Sequence, residues 1–267
     1  MTWRVETITS FQNTKVKQVR KLRDKKWRER DHLFVIDDIR DLKRALACGY
    51  SVEHLFYCPE IDTDGDIHAL PDTLTRYDVP ADILNKISYR NTPSSVVAVM
   101  QQPVIKTVQM LESIASTLIL GIVGLRKPGN IGALLRTADA TGFKAILLID
   151  SALDLYNPNI IRSSTGAIFL NNIYTVTSEE AIAYFEQQNY QVVAGIVDGD
   201  TPLTTVDFSR NSAVMLGTED IGLDEFWQSN CDIRVKIPMV GDVTDSFNVS
   251  VSGAIFMYEA LRQTHTT

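Results

Sequence analysis

Residues 237–252 read Ile237-Pro238-Met239-Val240-Gly241-Asp242-Val243-Thr244-Asp245-Ser246-Phe247-Asn248-Val249-Ser250-Val251-Ser252. The run follows a short strand expected over Arg234–Ile237, and Pro238 ends that strand because it cannot donate to a ladder. After the loop a helix is expected over Phe247–Gln263, with Phe247, Val251, Ile255 and Tyr258 forming an apolar stripe at helical spacing. Ser246, Asn248 and Ser250 cluster polar groups in its first turn. Residue by residue they fit an N-terminal cap, since Ser and Asn side chains accept from free helix N–H groups.

Two upstream segments have a related layout. Strand Ala213–Leu216 leads into Gly217-Thr218-Glu219-Asp220-Ile221-Gly222. Glycines at a strand end let a ligand approach the backbone, and ligands of parallel α/β sheets bind at that end. An acidic helix start favoured by the macrodipole fits Asp220 or Asp224 equally well. Strand Leu118–Val123 leads through Gly124–Gly129 into a helix over Ile131–Thr141, for which Asn130 is a suitable N-cap. Ile131, Leu134, Leu135 and Ala138 mark its buried face. Arg136 has Gly132 and Ala133 one turn before it and Ala140 one turn after, which leaves room beside a long cation. Neither the Gly-x-Gly-x-x-Gly spacing nor a P-loop is present. A fourth segment, Asn157–Ala167, places Arg162 beside Ser163 and Ser164, a set that can hold a phosphate or simply turn into a helix.

The remaining strands of this half are expected at Ala145–Ile149 and Gln191–Ala194, with a helix over Glu179–Gln188. The near-continuous apolar character of the first two strands suits a parallel sheet covered on both faces. The N-terminal third alternates too. Helices are expected over Asn13–Arg23, Ile39–Ala47 and Ala81–Lys86, and strands at Phe34–Ile36, Val52–Tyr57, Thr73–Tyr77 and Val96–Met100. The division is therefore 1–102, a connector over 103–116, and 117–267.

The 267 residues are 45% hydrophobic and 22% charged, as in ordinary globular chains. No apolar stretch is long enough for a bilayer, and the start lacks the apolar core of a secretion signal. Cys48, Cys58 and Cys231 have no metal-ligand spacing, so reduced thiols in a cytoplasmic compartment and no metal are expected. The net charge of −7 divides unevenly: residues 1–45 carry 13 Lys/Arg against 7 Asp/Glu, hence +6, and the rest carries −13. Nine of those cations fall between Lys15 and Arg30. A local basic field of this kind attracts polyanions even on an acidic molecule.

Taken in order, Asn130–Ala138, Leu216–Leu223, Ile237–Gly241 and Ser246–Ser252 resemble the signature of the SpoU/TrmH family of RNA ribose 2′-O-methyltransferases. The likeness is close over 118–263 and looser over 8–102, where Ile8-Thr9-Ser10, Asn13, Val16-Lys17 and Arg20-Lys21-Leu22 resemble the family's substrate-binding domain. It implies a C-terminal parallel-sheet α/β trefoil-knot domain, a smaller N-terminal α/β domain of ribosomal-protein type that binds RNA, and a homodimer with the active site at the subunit contact. S-adenosylmethionine (SAM) is the implied cofactor, held around Leu216, Gly217, Gly222, Ile237, Met239, Phe247 and Asn248. The resemblance makes Arg136 the central catalytic residue, supported by Asn130, Glu219, Ser246 and Asn248. Lys15, Lys17, Arg20, Lys21, Arg23, Arg162 and Ser163 are the RNA-binding candidates. The chain departs from the family in having Phe247 for Leu, a longer loop before Ser246, and Asp37-Asp38 for Glu-Gly. Ribosomal RNA is the preferred substrate and transfer RNA the alternative. A non-catalytic RNA-binding or ribosome-assembly protein and a base-nitrogen methyltransferase are the competing readings.

Overall fold

The computed structural model describes residues 5–62, 65–90, 94–111, 118–170 and 172–264. In chain order the first elements are β1 Val5–Thr7, α1 Thr14–Lys21, α2 Lys25–Asp31, β2 Leu33–Ile36, α3 Ile39–Ala47, β3 Val52–Tyr57, β4 Arg76–Asp78, α4 Ala81–Ile87 and β5 Val96–Gln101. There follow β6 Lys106–Thr107, β7 Leu118–Val123, α5 Pro128–Ala140, β8 Ala145–Ile149, α6 Pro158–Ser164, β9 Ile173–Val176 and α7 Ser178–Gln187. The chain ends with β10 Gln191–Gly195, β11 Thr201–Pro202, β12 Ser212–Leu216, α8 Glu225–Asn230, β13 Ile233–Lys236 and α9 Val249–Thr264.

Two compact units result, one from Met1–Val104 with Asp154–Phe169 and one from Ile105–Leu153 with Leu170–Thr267. The first is built on a five-stranded mixed sheet in the order β1-β4-β3-β5-β2. Val16, Val19 and Leu22 of the first basic helix and its exit are fully buried, so its three-residue apolar spacing is its attachment to the core. Helix α2 was not expected, because it lacks an apolar stripe. Its buried position is Arg28, only 2% exposed. Arg28 Nη1 donates to the Leu22 and Arg23 carbonyls, and Nε donates to Asp154 at 3.0 Å. A buried cation is stable only with its charge and its donors matched in this way.

The sequence-based division differs from the observed one in that residues 154–169 pack with the first unit. The reason is aromatic. Tyr156 stacks on Phe34 at 4.4 Å between ring centroids, Phe169 lies edge-on to Tyr50, and the Tyr50 and Tyr156 hydroxyls are 3.2 Å apart. Burial pushes both phenols above their ordinary range. The stretch expected as a connector begins instead with β6, paired to β9, while residues 112–116 of it lie outside the described residues.

The second unit holds an eight-stranded sheet in the order β11-β13-β10-β12-β7-β8-β9-β6, with every pair parallel. β7 and β8 are buried along their whole length, as their continuous apolar sequence requires. The chain visits β10 before β12, yet β12 lies between β10 and β7. Helix α9 then packs on α5 and β12. Gly253 permits that approach, since a Cβ there would overlap Leu134 Cδ2 and stand 2.9 Å from Leu216 Cδ1. The buried face of α9 is Gly253, Phe256, Met257 and Ala260. Of the apolar stripe named from the sequence, Val251 and Tyr258 face outward at 46% and 65% exposed, Ile255 is half-buried, and Phe247 precedes the helix.

Candidate active site

At the C-terminal ends of β10, β12 and β13 the second unit encloses a cavity of about 550 Å³. Most of its wall comes from three segments at those strand ends, with Ser252 and Phe256 of α9 behind them. After β10 the chain contributes Gly195 to Asp198, after β12 it contributes Gly217 to Leu223, and after β13 it contributes Ile237, Met239 and Ser246 to Val249. Leu216, Leu223, Val235, Ile237 and Phe256 give an apolar interior, while Asp198, Glu219, Asp220 and Lys127 bring charge to it. This size and this mixture, an apolar lining with a few placed polar groups, suit a nucleoside-sized ligand.

The middle loop has the shape it has because of Gly217. Thr218 and Gly222 exchange both backbone hydrogen bonds, N to O at 3.0 and 3.1 Å, folding the loop back on its own strand end. A Cβ on Gly217 would overlap the Gly222 carbonyl and the Leu223 nitrogen. Gly222 closes the turn in the left-handed region at φ 69°. Glu219 is thereby carried to the cavity edge, and Asp224 caps α8 by accepting from Trp227 N.

Three residues from three separate segments meet beside this loop. Asn130 Nδ2 donates to Glu219 Oε1 at 2.7 Å, and Asn248 Nδ2 donates to Asn130 Oδ1 at 3.3 Å. A carboxylate only accepts, so Glu219 settles which end of the Asn130 amide faces it and leaves Oδ1 for Asn248. Asn248 Oδ1 in turn accepts from Ser250 N and Oγ at the start of α9. Asn248 is therefore both a helix cap and a member of the polar chain. Asn130 is not the cap expected from sequence. Pro128 occupies the first helical turn of α5 and Lys127 is the N-cap residue, so Asn130 already lies within the helix with its side chain free to reach across.

All of Leu216, Gly217, Gly222, Ile237, Met239, Phe247 and Asn248 line the cavity, as do Glu219 and Ser246. Arg136 does not. It sits exposed on α5, and among the described residues no hydrogen bond or ion pair holds its guanidinium. Lys15, Lys17, Arg20, Lys21 and Arg23 are in the first unit, at α1 and its exit, and Arg162 and Ser163 belong to α6 of that same unit. Sequence reasoning missed Gly195–Asp198, Thr218 and Lys127, as well as Ser252 and Phe256 on α9. For the first set the available signal was a glycine at the end of an apolar strand, the same signal that singled out Gly217. Among the described residues no cluster of His, Cys, Asp or Glu could hold a metal, and no helix is long and apolar enough to cross a membrane.

Residues 117–258 match the SpoU rRNA Methylase family, and residues 13–98 match the MRM3-like substrate binding domain. A tRNA/rRNA methyltransferase of Synechocystis, itself uncharacterised, is 30% identical over 265 residues, covering 97% of this chain and 94% of that protein. A 23S rRNA (uridine(2479)-2′-O)-methyltransferase of Streptomyces viridochromogenes is 29% identical, covering 86% and 83%. Among solved structures, the SAM-bound rRNA methyltransferase of Sinorhizobium meliloti aligns with a TM-score of 0.86 at 25% identity, covering 99% of this chain and all of that one.

Proposed function

Since this chain belongs to the SpoU rRNA methylase family, we propose that it transfers a methyl group from SAM to a ribose 2′-hydroxyl of structured RNA, ribosomal RNA in preference to transfer RNA. The observation that carries this reading is the Glu219–Asn130–Asn248 hydrogen-bonded chain, which joins all three sequence motifs at the edge of one cavity. The cavity fits the cofactor. Its apolar interior suits an adenine, and Asp198, Glu219 and Asp220 suit a ligand carrying positive charge. Bound there, SAM would supply an electrophilic methyl on a sulfonium, the new oxygen–carbon bond replacing the sulfur–carbon bond.

The residues of the chain supply alignment and charge. Leu216, Gly217, Ile237 and Met239 line the space for the donor, and Asn248 beside them fixes the position of the acceptor side through Asn130. A hydroxyl must lose its proton as it attacks. A guanidinium is always protonated, so Arg136 is not the base. Arg136 holds the phosphate next to the target ribose and stabilises the developing alkoxide, and the proton leaves to a phosphate oxygen or to water. Much of the acceleration then comes from holding oxygen, methyl and sulfur in line.

A homodimer acting in the cytoplasm is part of this reading. The outward-facing Val251 and Tyr258 on α9 suit a second copy of the chain, and the exposed Arg136 on the neighbouring α5 would be brought to a reaction centre at that contact. The first unit, whose residues 1–45 carry a net charge of +6, grips the RNA. The test is Arg136→Ala: methyl transfer to ribosomal RNA is lost while SAM affinity stays unchanged, with the methylated atom mapped by mass spectrometry. Equal loss of both, or methylation of a base nitrogen, overturns the assignment.

A further inference from the structure

The basic surface of the first unit contains a planar feature that simple phosphate attraction does not require. On α2, Trp27 and Arg30 are three residues apart and share one face. The Arg30 guanidinium carbon stands 3.9 Å from the centroid of the Trp27 ring, a stacking distance. Arg30 Nε donates to Asp31 Oδ1 at 2.6 Å, which tethers the guanidinium over the ring. The hydrogen bond from Arg30 in turn keeps the Asp31 carboxyl below the usual range. Lys21 and Lys26 bring their ammonium groups to 4.8 and 5.3 Å from the same ring. The Arg30 side chain is 61% exposed, whereas Trp27 packs its inner side against the core of the unit.

The helix that carries this pair is rigidly fixed. Arg28, on its opposite face, is buried and bonded to two carbonyls and to Asp154. His32, in the left-handed region, ends the helix immediately after Asp31. Ring and guanidinium are thus held together on a fixed helix before any ligand arrives.

We propose that Trp27 and Arg30 form a stacking platform for one unpaired nucleobase of the RNA substrate, with Lys21 and Lys26 on its flanking phosphates. The proposal rests on the reading of the chain as an RNA methyltransferase and deepens it. The exposed guanidinium lies over the Trp27 ring, and planar arginine is a favoured surface for a splayed base. A paired helix hides its base faces, so the ligand is a loop or bulge nucleotide, not a duplex. This is recognition of single-stranded character, tolerant of base identity because every base has a π face.

Two RNAs of equal length test it with the full-length protein, one a hairpin with an unpaired loop and the other fully paired. Arg30→Lys keeps the charge and removes the plane. It should lower affinity for the looped RNA on the order of tenfold at fixed salt, with duplex affinity and SAM affinity unchanged. In a Trp3→Phe background, where buried Trp227 is the other emitter, the looped RNA should quench Trp27 fluorescence and the duplex should not. Equal losses on both RNAs, or no loss with no quenching, would overturn the platform while leaving the methyltransferase reading intact. If the wild-type protein binds neither RNA, the functional reading itself fails.

Discussion

Gly217→Ala tests the cavity through one methyl group. The new carbon would overlap the carbonyl of Gly222 and the nitrogen of Leu223, which are backbone atoms that cannot swing aside as a side-chain tip would. The turn must open, breaking the paired Thr218–Gly222 hydrogen bonds of 3.0 and 3.1 Å. At about 1 kcal/mol each these contribute about 2 kcal/mol. Crowding of a packed site adds about 1–3 kcal/mol. The sum, about 3–5 kcal/mol, falls below the stability of an ordinary domain, so the protein still folds. The turn also carries Glu219, so its opening releases Asn130 and distorts the cavity wall. We expect SAM affinity, measured by titration calorimetry, to fall by at least about tenfold, since about 1.4 kcal/mol of the distortion suffices for that. Gly129→Ala is the matched control. A Cβ there meets nothing within 4 Å, so it should bind SAM as the wild type does. If Gly217→Ala and Gly129→Ala bind SAM equally well, the cavity is not the cofactor site.

Tyr258→Glu places a charge in the exposed stripe of α9 and should convert a dimer to monomers in light scattering, with methyl transfer lost; a wild-type monomer would refute the dimer reading. Arg28→Met leaves the Asp154 carboxylate, 10% exposed, without its cation, and should destabilise the first unit by about 3–5 kcal/mol in urea unfolding. Arg28→Met combined with Asp154→Leu should recover most of that loss, and failure to recover would locate the effect elsewhere. Asp38 is desolvated, which raises its pKa, but hydrogen bonds from Arg40 and the charge of Arg90 outweigh this and leave it below its ordinary value. A depressed carboxylate stabilises the fold above its unfolded pKa, and that contribution disappears as pH falls through the lower folded value. Asp38→Asn keeps the cap of α3 and removes the charge, so it should lower stability by about 1 kcal/mol at pH 7. The gap should narrow as pH falls below the ordinary aspartate value of about 3.9 and close below the lower folded value, and a difference independent of pH would contradict it.

The elements that periodicity marked are those whose burial is local. β7, β8 and α3 have the bounds their apolar patterns announce, because each buries a contiguous run or one clean face. α2 escaped because its inward residue is Arg28, a cation made acceptable by Asp154, which lies 126 positions away. β9 escaped because its four residues sit directly after an Asn pair, too short for alternation to register. In α9 the pattern misled in another way. Both its faces are apolar, so spacing alone could not choose between the stripe of Val251 and Tyr258 and the stripe of Phe256 and Met257. Gly253 decides it, since only that face lets the helix backbone close on Leu134 and Leu216.

The polar chain of the site was even less accessible to local reasoning. Asn130 and Glu219 are 89 positions apart, and Asn130 and Asn248 are 118 apart. Their meeting depends on β12 lying between β10 and β7, a strand order that no helical or strand period encodes. Asn130 also obeyed a local rule on paper, as a cap before an apolar helix, and the rule failed because Pro128 can begin the helix two residues earlier. The displaced amide is what gives the site its geometry. Once inside the helix Asn130 is no longer committed to backbone N–H groups, and its two ends are free to bridge a carboxylate and a second amide. The same logic explains why Asn248 could remain a cap: its Oδ1 serves Ser250 while its Nδ2 faces Asn130. Local structure and function therefore share Asn248 but compete for Asn130, and the proline settles that competition in favour of the site.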